Sequence, residues 1–124
     1  MKLFLIVFAG GGLGSVVRFY LSQWVTIRTA SSFPWGTLTS NVLACVMLGL
    51  AVSMADQKMM LGANARLFWT VGFCGGFSTF STFSAESVTL LQSGLTLSMS
   101  LYMIMSVMLC LLAVMFGLWA GRLL

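Results

Sequence analysis

The residues with chemistry to offer crowd into one stretch, Gly72 to Glu86, which reads GFCGGFSTFSTFSAE. Three glycines (Gly72, Gly75, Gly76) are followed by hydroxyls at Ser78, Thr79, Ser81, Thr82 and Ser84, with Ser87 just beyond. Phenylalanines occupy 73, 77, 80 and 83; Phe77, Phe80 and Phe83 recur every three residues, which on a helix sets them near one face. An aromatic ring has an electropositive edge. Hydroxyls and the amide of Asn41 donate hydrogen bonds. Ring edges and donors turned to one point suit an anion, and with no lysine in the segment the anion is held weakly enough to leave, as conduction requires. The glycines make a backbone break inexpensive. Carbonyls released at a break are ligands for a hard cation such as Na⁺. Each feature also has a plainer reading: glycines that let helices touch, phenylalanines that pack a core, an amide that glues two helices. Residue type and spacing leave both readings open.

Other chemistry is poorly represented. Histidine is absent, which removes the commonest proton shuttle and metal ligand. The two acids, Asp56 and Glu86, form no legible acid/base pair. Cys45, Cys74 and Cys110 fall in apolar segments at spacings that match no zinc pattern, and read as small core residues. A glycine run at 10–14 mimics a dinucleotide loop, but that loop needs an acid about twenty residues on and the first acid is Asp56. Six scattered Lys and Arg make no basic patch, so nucleic acid is not an expected partner. Arg18 lies inside an apolar segment, where a cation is either functional or snorkels to an interface.

The elements that must position these residues are membrane helices. The chain is 60% hydrophobic and 6% charged, with mean hydropathy +1.06, against about a quarter charged in a soluble domain. Its length suits one transmembrane domain, 1–124. Four helices are predicted, at about 3–26, 36–54, 67–92 and 97–121, each near the twenty residues that span a bilayer. An uncleaved first helix fits better than a signal peptide, because apolar sequence resumes through Val25 with no cleavage box. Gly10 and Gly14 give it a small-xxx-small face. Pro34 precedes the second helix, a polar loop spans Asp56 to Arg66, and Ser93-Gly94 makes a turn. Tyr102, Ser106 and Cys110 share one face of the fourth helix. With the N-terminus inside, Lys2, Lys58, Arg66 and Arg122 are cytoplasmic and Arg28 is outside, a small bias toward that orientation.

The central stretch is similar to the signature of the Fluc/CrcB fluoride channels. The resemblance extends to GGLGSVVR at 11–18, to Pro34-Trp35-Gly36-Thr37-Leu38 followed by Asn41, and to Leu91-Gln92-Ser93-Gly94, nearly the whole chain. It implies a multi-pass channel of the bacterial cytoplasmic membrane that exports fluoride passively and is no enzyme. It implies four-helix subunits, the third helix broken mid-membrane, paired as an antiparallel, dual-topology homodimer. By the same resemblance Phe80, Phe83, Asn41, Thr37, Tyr102 and Ser106 belong to the pore, and Arg18 to a vestibule. The backbone carbonyls of Gly75 and Ser78 match the ligands of a structural Na⁺ at the dimer centre, an ion that activates and is not transported. Cys110 and Val114 depart from the hydroxyls usual at those positions. A small multidrug transporter fits less well, since it needs a membrane-embedded carboxylate in an apolar pocket and the first helix has no acid. A non-transporting assembly subunit fits poorly with so polar a third segment.

Overall fold

A computed structural model describes residues 1–57 and 62–124. Lys58, expected in the polar loop, lies outside the described residues. The chain is all helical, with four membrane-crossing segments. The first is α1 (Lys2–Thr29), the second α2 (Trp35–Gln57) and the fourth α6 (Thr96–Leu123). These three are long and apolar enough to span a bilayer. The third is composite: α3 (Ala63–Leu67), a π-helical turn (Phe68–Phe73), α4 (Cys74–Phe77), then α5 (Phe80–Gln92).

Three of the helices overrun their expected ends by a few residues. α1 continues to Thr29, whose hydroxyl donates to Val25 O (3.0 Å), and stops at Ala30 in the left-handed region. The Pro34 carbonyl accepts the first bond of α2, from Leu38 N. At the end of α5, Gly94 (φ 75°) donates to Leu91 O and Leu95 N to Leu90 O, the paired bonds of a Schellman cap. This is the expected turn. An ion pair joins Asp56 to Arg66 (3.0 Å) across the loop between the second and third segments; both side chains are half exposed, so the pair contributes little to stability.

Packing is by small residues. Gly10, Gly11 and Gly14 of α1 meet Gly72, Phe73, Gly76 and Phe77 of the third segment backbone to backbone. This is the expected small-residue face, and it leaves no room for a Cβ at Gly10, Gly14 or Gly76. α2 and α6 pack closely against each other. Gly49 backs onto Val114 and Leu118, Gly117 onto Val46 and Gly49, and Gly121 onto Ser53, so these helices run parallel in a fixed register. Ser40 donates its one hydroxyl proton to Gly36 O (3.0 Å), so in the Ser22–Ser40 contact (2.9 Å) Ser22 is the donor, and α1 is tied to α2. An apolar cluster of Leu38, Phe83, Leu90 and Tyr102 seals the half of the bundle near the 30–34 loop.

Candidate functional site

The site is built on the interruption of the third segment. Ser78 (ψ 156°) and Thr79 (φ −151°, ψ 113°) are extended, and α5 restarts at Phe80. In an unbroken helix Thr79 N would donate to Gly75 O, and Thr82 N to Ser78 O. Both amides are diverted to side chains. Thr79 N donates to Asn41 Oδ1 (2.8 Å), while Asn41 Nδ2 donates to Thr79 O (3.3 Å). Thr82 N donates to Thr79 Oγ1 (3.2 Å), which makes Thr79 the N-cap of α5. The carbonyls released by these diversions are those of Gly75 and Ser78. The intervening Gly76 O is taken, accepting from Arg18 Nε (3.3 Å) and Ser15 Oγ (3.4 Å). A Cβ at Gly75 would meet nothing within 4 Å, so that position faces open space.

Neutral carbonyl oxygens suit a hard monovalent cation, and no carboxylate lies at the break to favour a divalent one. Gly75 O and Ser78 O therefore fit the Na⁺ that the resemblance implies.

Beside the break is a cavity of about 240 Å³ lined by Asn41, Cys45, Ser78, Thr79, Phe80, Phe83, Ser106, Val107 and Cys110. Four of the expected pore residues meet there: Asn41, Phe80, Phe83 and Ser106. Phe83 is 9% exposed and packs against Tyr102 at 5.1 Å between ring centroids. Phe80 is 79% exposed and projects from the bundle. Ser106 Oγ is fully buried and is one of two buried side-chain polar atoms among the described residues without a hydrogen-bond partner. The expected single stripe of phenylalanines does not form. Phe77 is buried on α4 against Phe73, and the extended pair at 78–79 turns it away from Phe80 and Phe83.

Thr37 and Tyr102 are expected pore residues that lie outside this cavity. Both donate to one group: Thr37 Oγ1 to Glu86 Oε1 (2.8 Å) and Tyr102 OH to Glu86 Oε2 (2.7 Å). Glu86 in turn lines a second cavity, of about 230 Å³, with Thr26, Ser31, Ser32, Phe33, Pro34, Thr89 and Leu90. The side chains thus run in order from the break, past Phe83 and Tyr102, to Glu86 and the hydroxyls of the 30–34 loop. Sequence reasoning missed Glu86 as part of this line. The signal was present, since an ionisable residue within a membrane segment is a functional candidate by default. Arg18, expected in a vestibule, is held against the back of the break through Gly76 O.

Residues 5–118 match the family profile described as "CrcB-like protein, Camphor Resistance (CrcB)". The chain is 44% identical over 122 residues to a protein of Phocaeicola vulgatus named fluoride-specific ion channel FluC, covering 98% of this chain and 100% of that one. Proteins of the same name from Bacteroides fragilis (40% identical, 98% of each chain) and Rhizobium meliloti (41% identical, 95% of this chain and 94% of that one) are similar over the same extent.

Proposed function

The chain belongs to the CrcB family of multi-pass membrane proteins, and from that premise we propose that it is a passive, fluoride-specific channel that lowers intracellular fluoride. The observation that carries the reading is the cavity wall. Ser106 holds a buried hydroxyl with no partner, beside the Asn41 amide and the Phe83 ring. A buried polar group left unpaired costs about 1–3 kcal/mol. A small anion passing through the cavity satisfies it, accepting from Ser106 Oγ and from the second N–H of Asn41, while ring edges of Phe80 and Phe83 face its charge. Fluoride that enters as neutral HF dissociates at cytoplasmic pH, and a leak for the anion lets it run out along its gradient. No energy-coupling device is required.

Two copies, inserted in opposite orientations, complete the pore. The exposed Phe80 and the open face at Gly75 lie on the surface that a second copy would cover. About a two-fold axis, Gly75 O and Ser78 O of each copy supply about four neutral ligands to one Na⁺, which suits a monovalent ion. The ion, when bound, fixes the two breaks against each other. Asn41 and Thr79 hold each break in register for it. Arg18 and Ser15 hold Gly76 O on the opposite side, which keeps that carbonyl out of the ligand set.

The test is ion efflux from liposomes that contain this chain alone. Fluoride efflux without chloride efflux is expected, and it should collapse when K⁺ replaces Na⁺ on both sides. Drug–proton exchange, or no flux at all, would overturn the reading. Undiminished flux in K⁺ would remove Gly75 and Ser78 from the Na⁺ assignment. The small charge bias toward an internal N-terminus makes orientation a separate question. Cysteine labelling of both termini in cells should mark each from both sides, and labelling from one side only would contradict a homodimer.

A further inference from the structure

The cysteines were expected to be inert core residues, but the helix register brings two of them together. On α2 the residues 37, 41, 45, 49 and 53 follow one another at four-residue steps, and on α6 so do 102, 106, 110 and 114. The helices run parallel, and glycine contacts fix Gly49 opposite Val114. One turn back along both helices therefore sets Cys45 opposite Cys110, and the next turn sets Asn41 opposite Ser106. Side-chain placement agrees. Cys45 and Cys110 line the same cavity and are both partly accessible. Cys45 also lines a smaller cavity with Gly75, Ser78 and the buried Cys74.

A facing pair of thiols on a cavity wall has a defined ligand chemistry. Thiolate is a soft donor and selects soft metals. Among the described residues no third Cys, His, Asp or Glu joins the pair in a metal-binding group, so a tetrahedral zinc-type site is not available. Two thiolates alone suit a cation that is content with two ligands in a line. Charge narrows the choice further. A divalent cation and two thiolates form a neutral unit, which avoids the cost of leaving net charge in an apolar wall. Binding breaks two S–H bonds, forms two S–metal bonds and releases two protons to water, with no change of oxidation state.

We propose that Cys45 and Cys110 form a two-coordinate site for a soft divalent cation, and that the bound cation plugs the cavity between Asn41 and Ser78. The site stands on the thiol geometry; the plug rests also on the conduction reading given above. Ser106, Cys110 and Asn41 lie within one turn of one another along the wall, so a metal bridging the thiols occupies the space an anion would need.

The experiment uses the full-length chain carrying Cys74→Ala, which leaves two thiols, with Hg²⁺ as the probe. One equivalent of Hg²⁺ should protect both thiols from a maleimide and give one metal per chain by native mass spectrometry. Cys45→Ser and Cys110→Ser, each conservative in size, should weaken Hg²⁺ binding on the order of 100-fold because a single soft ligand remains. In liposomes, one equivalent should stop fluoride efflux from the Cys74→Ala protein, whereas the efflux of the Cys110→Ser protein, compared with the same protein without metal, should be unaffected by it. Two Hg²⁺ per chain, one on each thiol, or equal affinity in the serine variants, would overturn the bridged site. Bridged binding with undiminished efflux would keep the site and refute its position across the ion path.

Discussion

Gly76→Ala should damage this protein more than any change of one methyl group elsewhere in the third segment. A Cβ at position 76 would overlap the Gly11 carbonyl oxygen, with Gly11 C and Cα 3.0 Å away. All three are backbone atoms on the neighbouring helix, so no side chain can rotate out of the way. α1 and α4 would have to part by about an ångström to restore ordinary contact. Overpacking of this kind costs about 1–3 kcal/mol. Separation also breaks the bonds from Arg18 and Ser15 to Gly76 O, which at 3.3 and 3.4 Å are already near the limit of hydrogen bonding. A bond from a charged donor is worth about 1.5–3 kcal/mol. The sum is about 2.5–6 kcal/mol. The matched control is Gly12→Ala, since a Cβ there meets nothing within 4 Å. It should be neutral, or up to about 1 kcal/mol more stable from helix propensity. Unfolding by SDS in mixed micelles, followed by fluorescence of the four tryptophans, gives both values. A Gly76→Ala protein within about 0.5 kcal/mol of the parent would refute the argument, because the backbone contact would then be relaxing at no cost.

Three further outcomes are expected. Phe80→Ile and Phe83→Ile should each sharply reduce fluoride efflux while the protein still assembles, and normal efflux in both would return the rings to a packing role. Asn41→Asp should abolish conduction: it sets a carboxylate beside the ion path and takes away the Nδ2 bond to Thr79 O; persistent flux would remove Asn41 from the pore. Glu86→Gln leaves one acceptor where Thr37 and Tyr102 each need one, at about 1–3 kcal/mol. A cycle with Thr37→Ala should show positive coupling between the two sites, and strict additivity would mean that the Thr37–Glu86 bond carries no energy.

Some of this was legible in the sequence and some was not, for physical reasons that differ by residue. The four segments and the break were legible because apolar length and a cluster of glycines are strong local signals. What each glycine does was not, because that depends on the neighbouring helix: Gly72 and Gly76 press against α1, whereas Gly75 faces open space. The phenylalanine stripe was misread for a related cause. Three-residue spacing implies a shared face only along an unbroken helix, and the extended pair Ser78–Thr79 falls between Phe77 and Phe80. Asn41 was legible as either glue or ligand. Its amide acts as glue at Thr79 through one N–H and the carbonyl, which leaves one N–H over. Cys45 and Cys110 were illegible as a pair, since 65 residues separate them and only the parallel register of α2 and α6 joins them.

The break itself explains why these scattered residues belong to one device. An interrupted helix in a membrane leaves amides and carbonyls that no water reaches, and each must find a partner. Here two of the displaced donors are satisfied within the chain: Thr79 N by Asn41, Thr82 N by the Thr79 hydroxyl. One acceptor, Gly76 O, is satisfied by Arg18 and Ser15. Gly75 O and Ser78 O, two of the carbonyls deprived of their helical donors, have no such internal substitute. A chain that provides side-chain partners for the amides of 79 and 82 but none for the carbonyls of 75 and 78 is arranged for something positive to arrive from outside it. The donors left over, on Asn41 and Ser106, call for something negative. A cation at the break and an anion in the adjoining cavity answer both demands at once, and Asn41, bonded to the break and lining the cavity, is the residue through which loss of one should be felt at the other.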